Sequence, residues 1–182
     1  MKLFKLLFKF LTEIVDVLAE IEFKFIVNSH SSKQYFRRLY LKLKAVNYID
    51  KIYIGANFSI RTRGNITLGN RVSFGADTKL YSYAEIIVGD DFMSAKGLTI
   101  NTGSHDQKTL EPFSAPVVIG NRVWCGMDVI ILPGVCIGDD VCIGAGSIVT
   151  RNIPSNSVVA GVPAKIIRKI ERHDVEIWRP EW

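Results

Sequence analysis

From Ile54 to Pro154 the chain returns to the same residue types every six positions. A fixed short period constrains a fold more than any local preference does. The run is cleanest from Ile119 to Ile153, where an aliphatic residue or its stand-in recurs at Ile119, Cys125, Ile131, Ile137, Ile143 and Val149. Small or β-branched residues follow each by four positions, at Val123, Val129, Val135, Val141, Ser147 and Ile153. So short a repeat cannot bury an apolar face alone and must stack on its neighbours. Six residues for each face and three faces for each turn then give a triangular prism of parallel strands.

A longer signal overlies the short one. Leu68-Gly69-Asn70-Arg71-Val72, Val88-Gly89-Asp90-Asp91-Phe92, Ile119-Gly120-Asn121-Arg122-Val123 and Ile137-Gly138-Asp139-Asp140-Val141 repeat one pattern, and Tyr48-Ile49-Asp50-Lys51-Ile52 is a degenerate further copy. Positions 119 and 137 are 18 residues apart, one coil; 68 and 88 are 20 apart, and 88 and 119 are 31 apart. The surplus of 13 falls in Ser104 to Pro116, a polar, proline-containing stretch without the period, which reads as a loop thrown out of the prism. Gly and Asn at the corners are expected to take left-handed backbone values. Each inward aliphatic should contribute roughly 1.5–3 kcal/mol by burial against the coil above. A sandwich of short strands also has regular turns, but it would not repeat a pentapeptide in phase. The expected fold is an all-β core, a left-handed parallel β-helix of hexapeptide repeats, with N-terminal helices and a short C-terminal helix.

Composition bounds the rest. A chain of 182 residues with 48% hydrophobic content makes one domain with appendages. No stretch has the ~18–20 uninterrupted apolar residues of a membrane span. The start, MKLFKLLFKFL, is interrupted by lysines and followed by no small-x-small cleavage site, so it is expected to be retained. Cys125, Cys136 and Cys142 sit at repeat positions as small apolar residues and show no metal or redox spacing, which suits a reduced cytoplasm. The net charge of +5 lies wholly before Ile52, since residues 1–51 hold ten Lys/Arg against five Asp/Glu. That excess suits either a solvated helix face or a nearby anionic surface, and no nucleic-acid partner is expected.

Phe4, Leu7, Leu11, Ile14, Leu18, Ile21 and Phe25 are spaced as one apolar seam of a helix. Such a seam can pack in a trimer, on the chain's own prism, or weakly on a membrane through residues 1–25. A second helical stretch runs from Lys33 to Ala45, and Ala164, Ile167 and Ile170 suggest a closing helix after Pro163. The expected organisation is a helical segment over 1–47, the β-helix over 48–162 with its loop at 104–116, and a helix and tail over 163–182.

Among the histidines, His30 and His173 read as solvated residues, whereas His105 stands in the one loop that breaks the period. Loops held by a rigid scaffold are where catalytic groups gather. An imidazole with a pKa near ~6.5 can accept a proton from an alcohol at neutral pH.

The motifs Pro116-Val-Val-Ile-Gly-Asn-Arg-Val-Trp124-Cys-Gly-Met, Leu132-Pro-Gly-Val-Cys-Ile-Gly-Asp139, Ile143-Gly-Ala-Gly-Ser-Ile-Val-Thr150 and Val159-Ala-Gly-Val-Pro-Ala-Lys-Ile-Ile-Arg168 resemble the hexapeptide-repeat acyltransferases, above all the sugar O-acetyltransferases. The resemblance covers Ile54 to about Ile170. It implies a homotrimer, acetyl-coenzyme A as donor without a metal, and active sites between adjacent prisms. It makes His105 the general base and puts an oxyanion donor in the backbone near Gly126-Met127. It places the donor along Gly126, Met127, Ala145, Thr150, Arg151, Lys165 and Arg168. Asn101 and Asp106 are candidates for contact with the acceptor, and Asp106 or Glu111 for orienting the imidazole. This chain departs from the family where Ser104 separates Thr102-Gly103 from His105, and no match to the family's amide-bearing acceptor pocket stands around Phe74 to Thr78. The expected reaction moves acetyl to a hydroxyl of a sugar or saccharide, in surface polysaccharide biosynthesis, in the cytoplasm or at the inner face of the membrane. An amino-sugar N-acetyltransferase is the alternative within the class. A non-catalytic β-helix scaffold and a three-histidine metal enzyme are the alternatives outside it.

Overall fold

The computed structural model describes residues 38–42, 44, 46–49, 51–61 and 65–170. Its contacts divide the chain after Val46. In the first unit residues 38–42 are helical, inside the stretch expected to be a helix; the seam from Phe4 to Phe25 lies outside the described residues.

The second unit is a β-helix whose strands, numbered along the chain, form three parallel faces. The first face holds β1 (Asn47–Tyr48), β4 (Ile66–Leu68), β7 (Ile86–Val88), β12 (Val117–Ile119) and β15 (Cys136–Ile137). The second holds β2 (Ile52–Ile54), β5 (Val72–Phe74), β8 (Met93–Ser94), β13 (Trp124–Cys125), β16 (Val141–Ile143), β18 (Ser157–Ala160) and β19 (Lys165–Lys169). The third holds β3 (Ser59–Ile60), β6 (Lys79–Tyr81), β9 (Thr99–Asn101), β14 (Ile130–Ile131) and β17 (Ile148–Val149). A separate hairpin pairs β10 (Gly103–His105) with β11 (Pro112–Ser114).

Register follows the sequence repeat. Tyr48, Leu68, Val88, Ile119 and Ile137 pair in one column, so the degenerate copy at Tyr48 is a true coil. The residues of both repeat series from Ile119 to Ile153 are buried. Phe58, Phe74 and Phe92 add an aromatic column inside the prism, with ring centroids 5.4 and 5.5 Å apart. The extra residues collect at one corner. From Leu68 to Phe74 to Leu80 the inward step is six, and the surplus comes only between Leu80 and Val88. The hairpin leaves from the same corner, between β9 and β12.

The other two corners explain the pentapeptide. Lys51, Arg71, Asp91, Arg122, Asp140 and Asn156 all have positive φ and stack at the corner between the first and second faces. Asn57, Asp77, Gly97, Asp128 and Gly146 do the same at the corner between the second and third. The left-handed position is thus held by the expected Asn or Gly at Asn57, Asn156, Gly97 and Gly146, and elsewhere by Asp, Arg or Lys. The motif glycines answer to stacking: a Cβ on Gly120 would overlap Asp139 Oδ1 and lie 2.8 Å from the Gly138 carbonyl carbon. That oxygen is there because it accepts the Asn121 N–H at 2.7 Å. The same bond recurs from the Asn70 N–H to Asp90 and from the Asp90 N–H to Asn121, each 2.8 Å. One place on, Arg71 donates to Asp91 and Arg122 to Asp140, each with an Nη2 bond of 2.7 Å. Half-exposed pairs add only ~0.2–1 kcal/mol each, so their chief effect is to fix the corner.

The C-terminal end corrects one expectation. Residues Lys165–Lys169 form β19, antiparallel to β18, not a helix. The last coil leaves the β18 edge with unpaired backbone groups, and the chain turns at Gly161 to satisfy them. Adjacent β-branched Ile166 and Ile167 suit a strand.

Candidate active site

The stretch expected as a loop is a β-hairpin. Its register pairs Gly103 with Ser114, Ser104 with Phe113 and His105 with Pro112. Asp106 closes the turn: its Oδ1 accepts the N–H of Lys108 at 2.8 Å and of Thr109 at 2.9 Å. These bonds, Thr109 first, hold the Asp106 carboxyl below its ordinary range. Its Oδ1 is thus taken up by the turn, and Asp106 is not among the residues lining the groove below. Glu111 shapes the same turn through its carbonyl, which accepts the Asp106 N–H at 2.9 Å.

Thr102 anchors the hairpin's root. It is fully buried, its Oγ1 accepts the Ala84 N–H at 2.8 Å, and its hydroxyl reaches the Tyr81 carbonyl at 3.1 Å. Its backbone N–H also donates to Tyr81 O at 3.0 Å, and its carbonyl accepts the Ala115 N–H at 2.9 Å. Both strands of the hairpin are thereby tied to the corner at Ser82–Glu85.

Under the hairpin lies a groove of about 880 Å³, floored by β6, β9 and β14 and walled by Tyr83, Ser104, His105 and Phe113. His105 is exposed and makes no side-chain hydrogen bond among the described residues. Asn101 lines the groove as well, and its Oδ1 accepts the Gly103 N–H at 3.0 Å. That bond leaves the amide nitrogen as a donor.

The residues expected to hold the donor are spread over the prism. Gly126 and Met127 turn from β13 to β14, with Ala145 one coil on; a Cβ on Gly126 would sit 2.6 Å from Ala145 N. The Gly126 N–H is used by Ile143 O at 2.8 Å, whereas the Met127 N–H has no partner among the described residues. Met127 is 55% exposed. Thr150 and Arg151 follow β17 at the hairpin's corner, and Lys165 and Arg168 are exposed on β19. Within one chain, then, His105 and Met127 occupy opposite corners of the third face. Sequence reasoning missed Thr102, Tyr81, Tyr83 and Phe113. Its one clue was the surplus between Leu80 and Val88, which makes the shelf against which the hairpin is tied. Among the described residues no group of His, Cys, Asp and Glu could hold a metal ion, and His30 and His173 lie outside them.

Residues 116–151 match the family model described as bacterial transferase hexapeptide (six repeats). The maltose O-acetyltransferase of Clostridium difficile 630 is 31% identical, over 91% of this chain and 89% of that one, with a TM-score of 0.74. The chain therefore belongs to the hexapeptide-repeat acyltransferases, a family of acyl-transferring enzymes. The galactoside O-acetyltransferase of Escherichia coli (strain K12) is 40% identical over 60% of this chain, and the match spans 57% of that relative's length. A galactoside acetyltransferase solved in complex with coenzyme A is 27% identical, over 96% of this chain and 88% of that one, with a TM-score of 0.68.

Proposed function

We propose that the protein transfers acetyl from acetyl-coenzyme A to a hydroxyl of a sugar or saccharide, as a homotrimer acting in the cytoplasm on surface polysaccharide precursors. The observation that carries this reading is His105, held over a groove by a hairpin rooted on buried Thr102. The imidazole takes the acceptor proton as the acceptor oxygen adds to the thioester carbonyl; collapse of the tetrahedral intermediate then breaks the C–S bond, and the imidazolium gives the proton to the departing sulfur. Asn101 donates to the acceptor and helps to orient it. The Met127 N–H donates to the oxyanion of the tetrahedral intermediate.

His105 and Met127 sit at opposite corners of one prism, so a complete site takes His105 from one subunit and the Met127–Ala145 corner from the next. Gly126 and Ala145 allow the donor's slender arm close approach, while Thr150, Arg151, Lys165 and Arg168 meet its polar and phosphate groups. The test is thiol release with acetyl-coenzyme A and a panel of neutral and charged glycosides, followed by mass analysis of the product. A gain of one acetyl on a saccharide hydroxyl supports the reading; the absence of transfer to every saccharide refutes it.

A further inference from the structure

The groove wall carries two aromatic rings that the proposed chemistry does not use. Tyr83 is 60% exposed and Phe113 is 50% exposed. Large rings left in water beside a groove mark a surface that a ligand covers. Both are placed by the fold. A Cβ on Gly103 would overlap the Tyr83 ring, 2.8 Å from its Cγ, so glycine there is what lets the ring lie on the hairpin's root. Phe113 is the cross-strand partner of Ser104, next to His105.

Besides the imidazole of His105, the polar side chains lining the groove are hydroxyls and an amide, from Tyr81, Tyr83, Thr99, Ser104, Ser114 and Asn101. Among the described residues lining the groove there is no Asp, Glu, Lys or Arg. A carboxylate or phosphate entering such a groove would lose water and meet no Lys or Arg on these walls. A pyranose ring has the matching chemistry, a C–H face that packs on an aromatic ring and a rim of hydroxyls for neutral polar partners. The groove's size, about 880 Å³, stands near the top of the roughly 300–1,000 Å³ of small-molecule sites, which suits more than one sugar ring.

We propose that the groove receives the uncharged end of a glycan, with sugar faces laid on Tyr83 and Phe113 and hydroxyls read by Asn101 and Tyr81. The proposal rests on the acetyltransferase reading and specifies its acceptor. It makes Tyr83 and Phe113 specificity-determining residues.

The experiment is steady-state acetyl transfer to neutral oligosaccharides, to matched oligosaccharides bearing a uronate, and to simple monosaccharide glycosides. Wild type is compared with Tyr83→Ala, Tyr83→Phe and Phe113→Ala, each checked for an unchanged melting temperature. Neutral oligosaccharides are expected to exceed both other classes at least tenfold in kcat/KM. Tyr83→Ala and Phe113→Ala should raise the acceptor KM at least tenfold with the acetyl-coenzyme A KM unmoved, and Tyr83→Phe should stay near wild type. If wild type acetylates uronate-bearing glycans equally well, or if both alanine variants keep the wild-type acceptor KM, this proposal falls while the acetyltransferase reading stands. If wild type acetylates no saccharide, the reading itself falls and the proposal with it.

Discussion

His105 and Thr102 are three residues apart and differently placed, one exposed on the groove wall and the other buried at the root of the strand that carries it. His105→Ala should lower kcat by roughly 10²–10⁴-fold with donor KM near normal, the signature of a lost general base. Activity within threefold of wild type would show that another group takes the proton. Thr102→Val keeps the side chain's shape but leaves the part-buried Ala84 N–H without its acceptor. Such a loss costs about 1–3 kcal/mol, read by urea unfolding, and Thr102→Ser should recover most of it. Cys125 offers a further check, since full burial pushes its thiol well above the ordinary range while Cys136 is exposed. A thiol-alkylating reagent at neutral pH should therefore label Cys136 in the native protein and Cys125 only after unfolding. Native labelling of Cys125 at a rate like that of Cys136 would contradict the packed interior.

At the scale of the elements, the coils were legible because every inward side chain follows a period readable without knowing its partner. The offsets of 20, 31 and 18 residues are also the strand registers. Gly120 was legible as a corner residue but for the wrong reason: the constraint comes from a carboxylate one coil away, which no local rule contains. β19 was misread because Ala164, Ile167 and Ile170 mimic a helical spacing, while the deciding partner was the open edge of β18. The groove was hidden in the same way. Tyr83 reaches His105's neighbourhood only because one coil's surplus stacks beside the next coil's outgrowth at the same corner. Gly120→Ala tests the stacking account. It should destabilise the fold by about 1–3 kcal/mol although its φ is not left-handed, because the added methyl meets fixed neighbours. Gly146→Ala meets no atom within 4 Å, yet should lose stability through its positive φ of 68°. If Gly120→Ala is neutral in denaturant melts, close coil contact is not what selects glycine there.

At the scale of the whole molecule, the two halves of the proposed site lie on different corners, so subunit mixing is decisive. His105→Ala removes the base, and Ala145→Trp should obstruct the donor groove; each variant alone should be nearly inactive. Co-expressed in equal amounts and assembled at random, the whole population of trimers should regain about a quarter of wild-type activity per site, since each site draws one half from each of two neighbours. Sites built within single chains would regain none. Light scattering should give a trimer, and a monomer of about 20.4 kDa would remove the basis for shared sites.

Every length change in the prism before its last turn, whether two residues or thirteen, enters between the third and first faces. The face ladders carry on past each insertion in unbroken register, so that corner works as a socket into which chain can be spliced without disturbing the barrel behind it. Under the proposed reaction His105, Tyr83 and Phe113 are all carried on chain spliced into this socket, while Met127 and Ala145 belong to a corner without insertions among the described coils. What the enzyme acetylates can therefore be rewritten by changing the outgrowths around a retained His105, leaving the Met127–Ala145 corner as it was.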